Sequence, residues 1–377
     1  MDFKQFKSGS YLQKYQFKSF MPEPVNHSWV WSEPKINTLL EEATHKLGAL
    51  DAFSKQVPDV AYFIRMHVVK EATTSSRIEG TKTNIEEALL KANEVDPERR
   101  DDWQEVQNYV KAMNQAVTQL QKIPVSTRLL KETHKILLSK GRGASKMPGE
   151  FRRSQNWIGG ATIKDATYVP PSHEEINSLM GDLENFLHND GLSVPSLIRI
   201  AIGHYQFETI HPFLDGNGRI GRLMITLYLV GKGLLSKPTL YLSDYFDKHR
   251  ILYYDKLEIV REKNDIAQWI IFFLVAITKT CEKGISTFEK IQKLREDVEG
   301  KRLPKLGKRL PNAQKLIMEL YRNPRVTSSD VAKYLHITPK SANELIQELV
   351  RLKILDEITG GRRNRIFSFR EYVQLFK

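Results

Sequence analysis

Apolar and polar positions alternate along most of the chain with the rhythm of amphipathic helices. Ile36, Leu39, Leu40, Ala43 and Leu47 repeat at helical spacing from near Lys35. That three-and-four spacing puts apolar side chains on one face. Val60, Phe63, Ile64, His67 and Val68 make a second stripe, predicting a helix from about Asp59 to Glu79. Asp59 can cap its start and Gly80 can stop it. Thr83-Asn84-Ile85-Glu86 reads as a capping box opening a third helix that runs to about Asn93. Further helices are expected over 101–122, 126–138, 172–188, 195–210, 243–260 and 265–290. Another begins near Ile220, where Ile220, Leu223, Met224, Leu227 and Tyr228 keep the period.

Three stretches break the rhythm. Residues 1–35 carry Pro22, Pro24 and Pro34, yet also Tyr11, Tyr15, Phe17, Phe20, Trp29 and Trp31. So many aromatics predict an arm packed on the body rather than a solvated tail. Residues 141–171 scatter Gly and Pro with little period, and loops that long are uncommon without a function. Between Gly300 and Pro311, Lys301, Arg302, Lys305, Lys308 and Arg309 alternate with Gly and Pro, which reads as a linker. Beyond it, helical patterns over 312–322, 328–335 and 339–352 precede a hairpin, 354–358 and 365–369, around Thr359-Gly360-Gly361. Three helices and a hairpin predict a winged helix.

Composition narrows the class. The chain has 377 residues, 41% apolar and 27% charged, which predicts a globular protein of two or three domains. Lys plus Arg exceed Asp plus Glu by 57 − 45 = 12, favouring nucleotide or nucleic acid, or simply a basic surface. Cys281 is the single cysteine, which excludes an intramolecular disulfide. MDFKQFKSGS has no apolar core of a signal peptide, and the run Trp269–Ile277 is too short to span a bilayer. A cytoplasmic location with no membrane partner is the default.

The candidate chemistry lies in Ile210-His211-Pro212-Phe213-Leu214-Asp215-Gly216-Asn217-Gly218-Arg219-Ile220-Gly221-Arg222. Gly216, Asn217 and Gly218 tolerate positive φ, so the backbone can turn tightly just before a helix. Free N–H groups and the dipole at a helix start favour an anion. Arg219 and Arg222, three apart, can reach the same phosphates. Asp215 is placed to hold Mg²⁺ beside them. His211 is the residue suited to taking a proton near neutral pH. No Lys-Ser or Lys-Thr follows the glycines, so a P-loop is excluded.

His211–Arg222 resembles the signature of the Fic family, H-P-F-x-[D/E]-G-N-G-R-x-x-R, with every specified position matched. The resemblance implies a mainly α fold: a Fic-type helical bundle with a β-hairpin flap, here followed by the winged helix. It also implies AMP transfer from ATP, with Mg²⁺, to a Ser, Thr or Tyr hydroxyl of a target protein. His211 would be the base. Asp215, Gly216, Asn217, Gly218, Arg219, Gly221 and Arg222 would hold ATP, with the Asn217 side chain adding a donor. Ser75-x-x-x-Glu79-Gly80 matches the family's inhibitory motif, in which the glutamate pairs with the second signature arginine, here Arg222. Gly149–Arg152, Ile158-Gly159-Gly160 and Tyr168–Pro171 resemble the flap, which aligns the target segment through its edge. Tyr253 and Tyr254 correspond to a pair that contributes to the nucleotide pocket, though adjacent tyrosines are about as often simple core.

The corresponding division is an N-terminal region with the inhibitory helix (1–110), a Fic core (111–295), a linker (296–311) and a winged helix (312–377). The chain itself, by auto-AMPylation, is a further expected target, and a homodimer stays open. DNA binding through the winged helix and protein docking stand equal: Lys340, Asn343, Glu344, Gln347 and Glu348 make a poorly basic third helix, whereas the wing offers Arg362, Arg363 and Arg365. Three rivals are AMP removal with Glu79 orienting a water, a DNA-binding regulator with a vestigial core, and a metal-dependent hydrolase using His204, His211 and Asp215.

Overall fold

The computed structural model describes residues 1–56, 60–361 and 365–377. The chain opens with an antiparallel hairpin, β1 (Gly9–Gln13) and β2 (Lys18–Pro22), paired from Gly9↔Pro22 to Gln13↔Lys18. The first 33 residues form the packed arm the aromatics predict. Phe3, Phe6, Phe20 and Trp29 are buried, and the arm is bonded to the body through Ser8–Asn264 and Val25–Asp182.

Helices α1 (Pro34–Gln56), α2 (Val60–Ile78), α3 (Ile85–Ala88), α4 (Arg100–Gln119) and α5 (Thr127–Leu137) follow. Asp59, the expected cap of α2, lies outside the described residues. α3 is a single turn, shorter than predicted. Its capping box is Asn84 with Glu87, one residue later than the Thr83–Glu86 frame, and Leu89 already closes the turn. After the irregular 141–171 region come α6 (Ile176–His188), α7 (Ser196–Ile210) and α8 (Asn217–Gly231). α7 is buried at every position from Leu197 to Phe207, and α8 from Arg219 to Leu229. A helix buried all round belongs at the centre of a bundle, and this pair is the centre. The helix predicted over 243–260 is two, α9 (Ser243–Lys248) and α10 (Arg250–Lys263), broken where His249 leaves helical geometry (φ −115°, ψ 36°). α11 (Ile266–Asp297) then packs along α1.

The expected linker is helical. α11 continues through a wide turn at Val298–Arg302 and a 3₁₀ run at Leu303–Arg309, kinked at Gly307, into α12 (Leu310–Arg322). Its arginines are occupied: Arg302 pairs with Asp297 and Glu371, and Arg309 with Glu344 and Glu348. The C-terminal unit adds β3 (Arg325–Thr327), α13 (Ser328–Leu335), α14 (Pro339–Arg351), β4 (Asp356–Glu357), β5 (Ile366–Ser368) and α15 (Arg370–Gln374), with antiparallel order β3-β5-β4. This is the predicted winged helix; Arg362 and Arg363 of its wing lie outside the described residues. It docks on α2, with Phe63 against Tyr321 at 5.4 Å and Tyr372 at 6.1 Å. α2 is thus held between the bundle and the winged helix. Among the described residues, no helix is long and apolar enough to cross a membrane.

Candidate active site

The site forms where α7 ends and α8 begins. His211 caps α7 in the left-handed conformation (φ 51°, ψ 59°), its N–H bonded to Phe207 O. A non-glycine residue held there is uncommon, and Arg152 provides the restraint. Its buried guanidinium donates to His211 O (3.0 Å) and Pro171 O (2.6 Å), and its own N–H bonds Pro212 O (2.9 Å). Burial pushes the His211 imidazole down to about 4, opposed in part by the Glu208 main chain, so it is neutral at physiological pH. Its Nδ1 is buried without a hydrogen-bond partner among the described residues.

The bend is stapled from inside. Asn217 Oδ1 accepts the Phe213 N–H and its Nδ2 donates to Phe213 O, both at 2.8 Å. That amide, expected as a phosphate donor, spends its oxygen and one Nδ2 N–H on closing the turn. Of the three residues Gly216-Asn217-Gly218, Gly216 has positive φ (78°), while Asn217 and Gly218 are helical. Gly218 is needed for closeness instead, since a Cβ there would lie 2.3 Å from Glu79 Oε1. His134 stacks on Phe213 at 3.8 Å, donates through Nε2 to Asp215 O (3.0 Å) and accepts the Gly149 N–H at Nδ1 (2.9 Å). It ties the bend to α5 and to the base of the flap.

Both arginines converge on the start of α8, and both are engaged. Arg219, 3% exposed, reaches Glu105 and Asp215 at 3.2 Å each. Arg222, also 3% exposed, donates from Nη2 to Glu79 Oε1 (2.7 Å) and Ser75 O (2.9 Å), and from Nε to Ser75 Oγ (3.0 Å). Burial opposes the Arg222 cation, yet Glu79, with Tyr253 and Glu208, holds its pKa above the ordinary value. Burial likewise opposes the Glu79 carboxylate, but Arg222 overrides it and lowers its pKa. Glu79 sits just past α2, in a turn that Gly80 completes at φ 99°. Its side chain keeps 34% of its surface open.

Asp215 contacts Gly216 N and Arg219 through Oδ1 alone, and its side chain is 40% exposed. Among the described residues, no group of three or more His, Cys, Asp or Glu is gathered to hold a metal. A lone, open carboxylate beside a helix start still fits Mg²⁺, which keeps waters and takes its other oxygens from phosphates. His204 bonds Gly221 O (3.0 Å) and Tyr253 Oη (2.9 Å) in the core, so it does not converge with His211 and Asp215. Tyr253 is itself core, stacked on Phe246 at 4.4 Å, whereas Tyr254 beside it is 42% exposed. At the flap, Ile158 and Tyr168 form one antiparallel bridge rather than an extended hairpin. Gly159 and Gly160 turn at positive φ, and Trp157 and Ile158 stay exposed.

Arg152, His134, Glu105 and Glu208 complete the site without a signal in the sequence motif. Glu208 is pushed up to about 7 by burial, with Oε1 lacking a hydrogen-bond partner among the described residues. A Cβ at Gly221 would meet that oxygen at 2.3 Å.

Residues 37–118 match the Fic/DOC family N-terminal region, and residues 124–229 match the Fic/DOC family domain. A protein adenylyltransferase Fic of Aedes aegypti is 33% identical over 135 residues, 36% of this chain and 24% of that protein. One of Drosophila grimshawi is 27% identical over 249 residues, covering 64% and 47%. The chain thus spans well under two thirds of these relatives. A Fic family protein from Desulfovibrio desulfuricans shares the fold with a TM-score of 0.57 at 20% identity, over 92% of this chain and 98% of that one. Fic-1 (residues 134–508) of C. elegans does so with a TM-score of 0.51 at 21% identity, over 69% and 75%. Two adjoining family matches, a shared fold and an intact signature at the α7–α8 bend mean that this chain belongs to the Fic/DOC family.

Proposed function

We propose that the chain transfers AMP from ATP to a hydroxyl side chain of a protein, and that Glu79 inhibits the transfer. The observation that carries this is the meeting of a neutral His211, a helix start and two arginines at one bend, with Glu79 bonded to Arg222 at 2.7 Å. The opening N–H groups of α8 have no partners within the helix and suit a phosphate chain. Mg²⁺ on Asp215 would neutralise phosphate charge. Arg219 and Arg222 orient the outer phosphates, which requires them to leave Glu105 and Glu79. Tyr254 offers an open ring for adenine, while Tyr253 supports it from the core. The target segment lies along the flap at Ile158-Gly159-Gly160, and His211 takes the proton of its Ser, Thr or Tyr hydroxyl. The hydroxyl oxygen bonds to the α-phosphorus and pyrophosphate leaves. Placement and fixed charge supply most of the acceleration. The same chemistry admits a residue of the chain itself as target.

With Glu79 in place, the γ-phosphate has no free Arg222, and the α-phosphate is not presented in line. We place the inhibitory element in a region ending near residue 110, the catalytic core at 111–295, and a separate winged helix from 312, joined by the helical 296–311. ATP labelled at either the α- or the γ-phosphate tests the reaction class with the Glu79→Gly variant. Label carried to protein from the α position alone is expected; transfer from γ would make the chain a kinase and sink the proposal.

The open side of Glu79 favours one further reaction, hydrolysis of AMP from a modified protein with Glu79 orienting the water. AMP release by the wild type, lost in Glu79→Gly, would establish it.

A further inference from the structure

A cavity of about 180 Å³ opens between α2, α9 and α11, and none of its walls comes from the bend at 211–222. Lys70, Lys248, Lys279 and Lys283 line it. Lys279 is paired with Glu282 at 3.0 Å. The other three share Asp244, with Nζ at 2.6 Å for Lys283, 3.1 Å for Lys248 and 3.8 Å for Lys70. Three ammonium groups thus outnumber the one carboxylate they pair with; Glu71, the other carboxylate of the wall, bonds Tyr109 and Ser243 instead. Such an excess is costly where water is restricted. Lys70 feels it most: its side chain is 17% exposed, and burial, with Lys283 nearby, pushes its pKa down to about 8 despite Asp244.

Two polar groups of the wall have no hydrogen-bond partner among the described residues, His67 Nε2 and Tyr241 Oη. Both residues are more than nine-tenths buried, at 9% and 8% exposed. Buried polar atoms are nearly always bonded, so two orphans beside surplus charge mark the place of a missing acceptor. Glu71 Oε1 is taken by Tyr109 and Ser243. The volume suits a small oxyanion; it is below the roughly 300 Å³ at which pockets for drug-sized ligands begin.

We propose that this cavity binds a phosphate-type oxyanion, free or as pyrophosphate, on Lys70, Lys248 and Lys283, with the Tyr241 hydroxyl and His67 Nε2 as further donors. The anion supplies the negative charge that Asp244 alone does not. The site does not depend on the proposed enzymatic activity, since it shares no residue with the α7–α8 bend.

The test titrates the full chain with inorganic phosphate and, separately, with pyrophosphate, read by calorimetry and by the thermal midpoint. Saturable binding of one anion is expected, and the tighter of the two arms identifies the source. Lys248→Gln with Lys283→Gln should weaken it at least about tenfold, whereas Asp244→Asn, which removes the competing carboxylate, should tighten it by about tenfold. Both lysines are partly exposed, at 58% and 41% of their side chains, so the double variant should fold. If it does not, the Asp244→Asn result decides alone. Unchanged affinity in the double variant would put the anion elsewhere, at the α8 start for example, and overturn the proposal. So would no saturable binding, or no tightening in Asp244→Asn.

Discussion

His211 depends on neighbours that no local pattern announces. Burial keeps its imidazole near 4 rather than the ordinary 6.5, so it is unprotonated, and able to act as a base, through neutral pH. Loss of that form sets the acid limb of the rate. In Glu79→Gly, AMP incorporation should hold from pH 7 to about 5 and fall only as pH approaches 4. Glu79 raises the His211 pKa, so removing it moves the limb further down, not up. An acid limb centred near 6.5 would mean a solvated imidazole. Arg152 carries a second prediction. Arg152→Ala strips donors from His211 O and Pro171 O, and leaving buried carbonyls unpaired costs about 1–3 kcal/mol each. Urea unfolding should report a loss of at least ~2 kcal/mol, unrescued by Arg152→Lys, which lacks the planar fork. The signature residues were legible because they fall within twelve positions of one another. Arg152, His134 and Glu105 were not, because they reach the bend from 59, 81 and 114 residues away. The turn-closing role of Asn217 was not read either, although its partner Phe213 is only four residues away.

The end of α2 is the element on which regulation is proposed to turn. Arg222 is held there by three bonds, two to Ser75 and one to Glu79. Ser75→Ala removes the Oγ contact but keeps the main-chain carbonyl and the carboxylate. It should therefore raise AMP incorporation only a few-fold, well short of Glu79→Gly; equal release by both would place the inhibition in the helix position rather than in the ion pair. Helix periods and the Gly80 stop made this element readable in the sequence. Boundaries set by tertiary contacts were less so. The single-turn α3 ends early although its pattern continues, and His249 divides α9 from α10 inside what the period reads as one helix. The 300–311 stretch has the composition of a linker, yet becomes helical because Asp297, Glu344, Glu348 and Glu371 take up its arginines. Those partners are invisible to a local window. The same pairs occupy Glu344 and Glu348 on α14, the helix a winged fold would offer to DNA.

Over the whole molecule, burial has fixed several histidines in the neutral state. His67 and His204 are pushed down to about 3, and His134 and His211 to about 4, all by desolvation. The unfolded chain binds those protons near pH 6.5 and the folded chain does not, so stability is lost as pH falls from about 6.5 towards 4. Each contributes at most about 1.4 kcal/mol per pH unit. Glu71 and Glu208, raised by burial, act in the opposite sense and cancel part. The melting midpoint should drop steeply between pH 6.5 and 5; a midpoint flat to pH 5 would mean that these rings are hydrated. The arrangement that gives α2 its importance is also global, since it lies between the α7–α8 pair and a winged helix docked through Phe63, Tyr321 and Tyr372. The most direct measurement compares AMP incorporation from α-labelled ATP, with lysate protein as target, by the wild type, Glu79→Gly and Glu79→Gly/His211→Ala. Little label for the wild type, a rise of at least about tenfold for Glu79→Gly and a return to background for the double variant are expected. No gain on removing Glu79, or labelling that survives without His211, would contradict a nucleotide site at the α7–α8 bend held shut by Glu79.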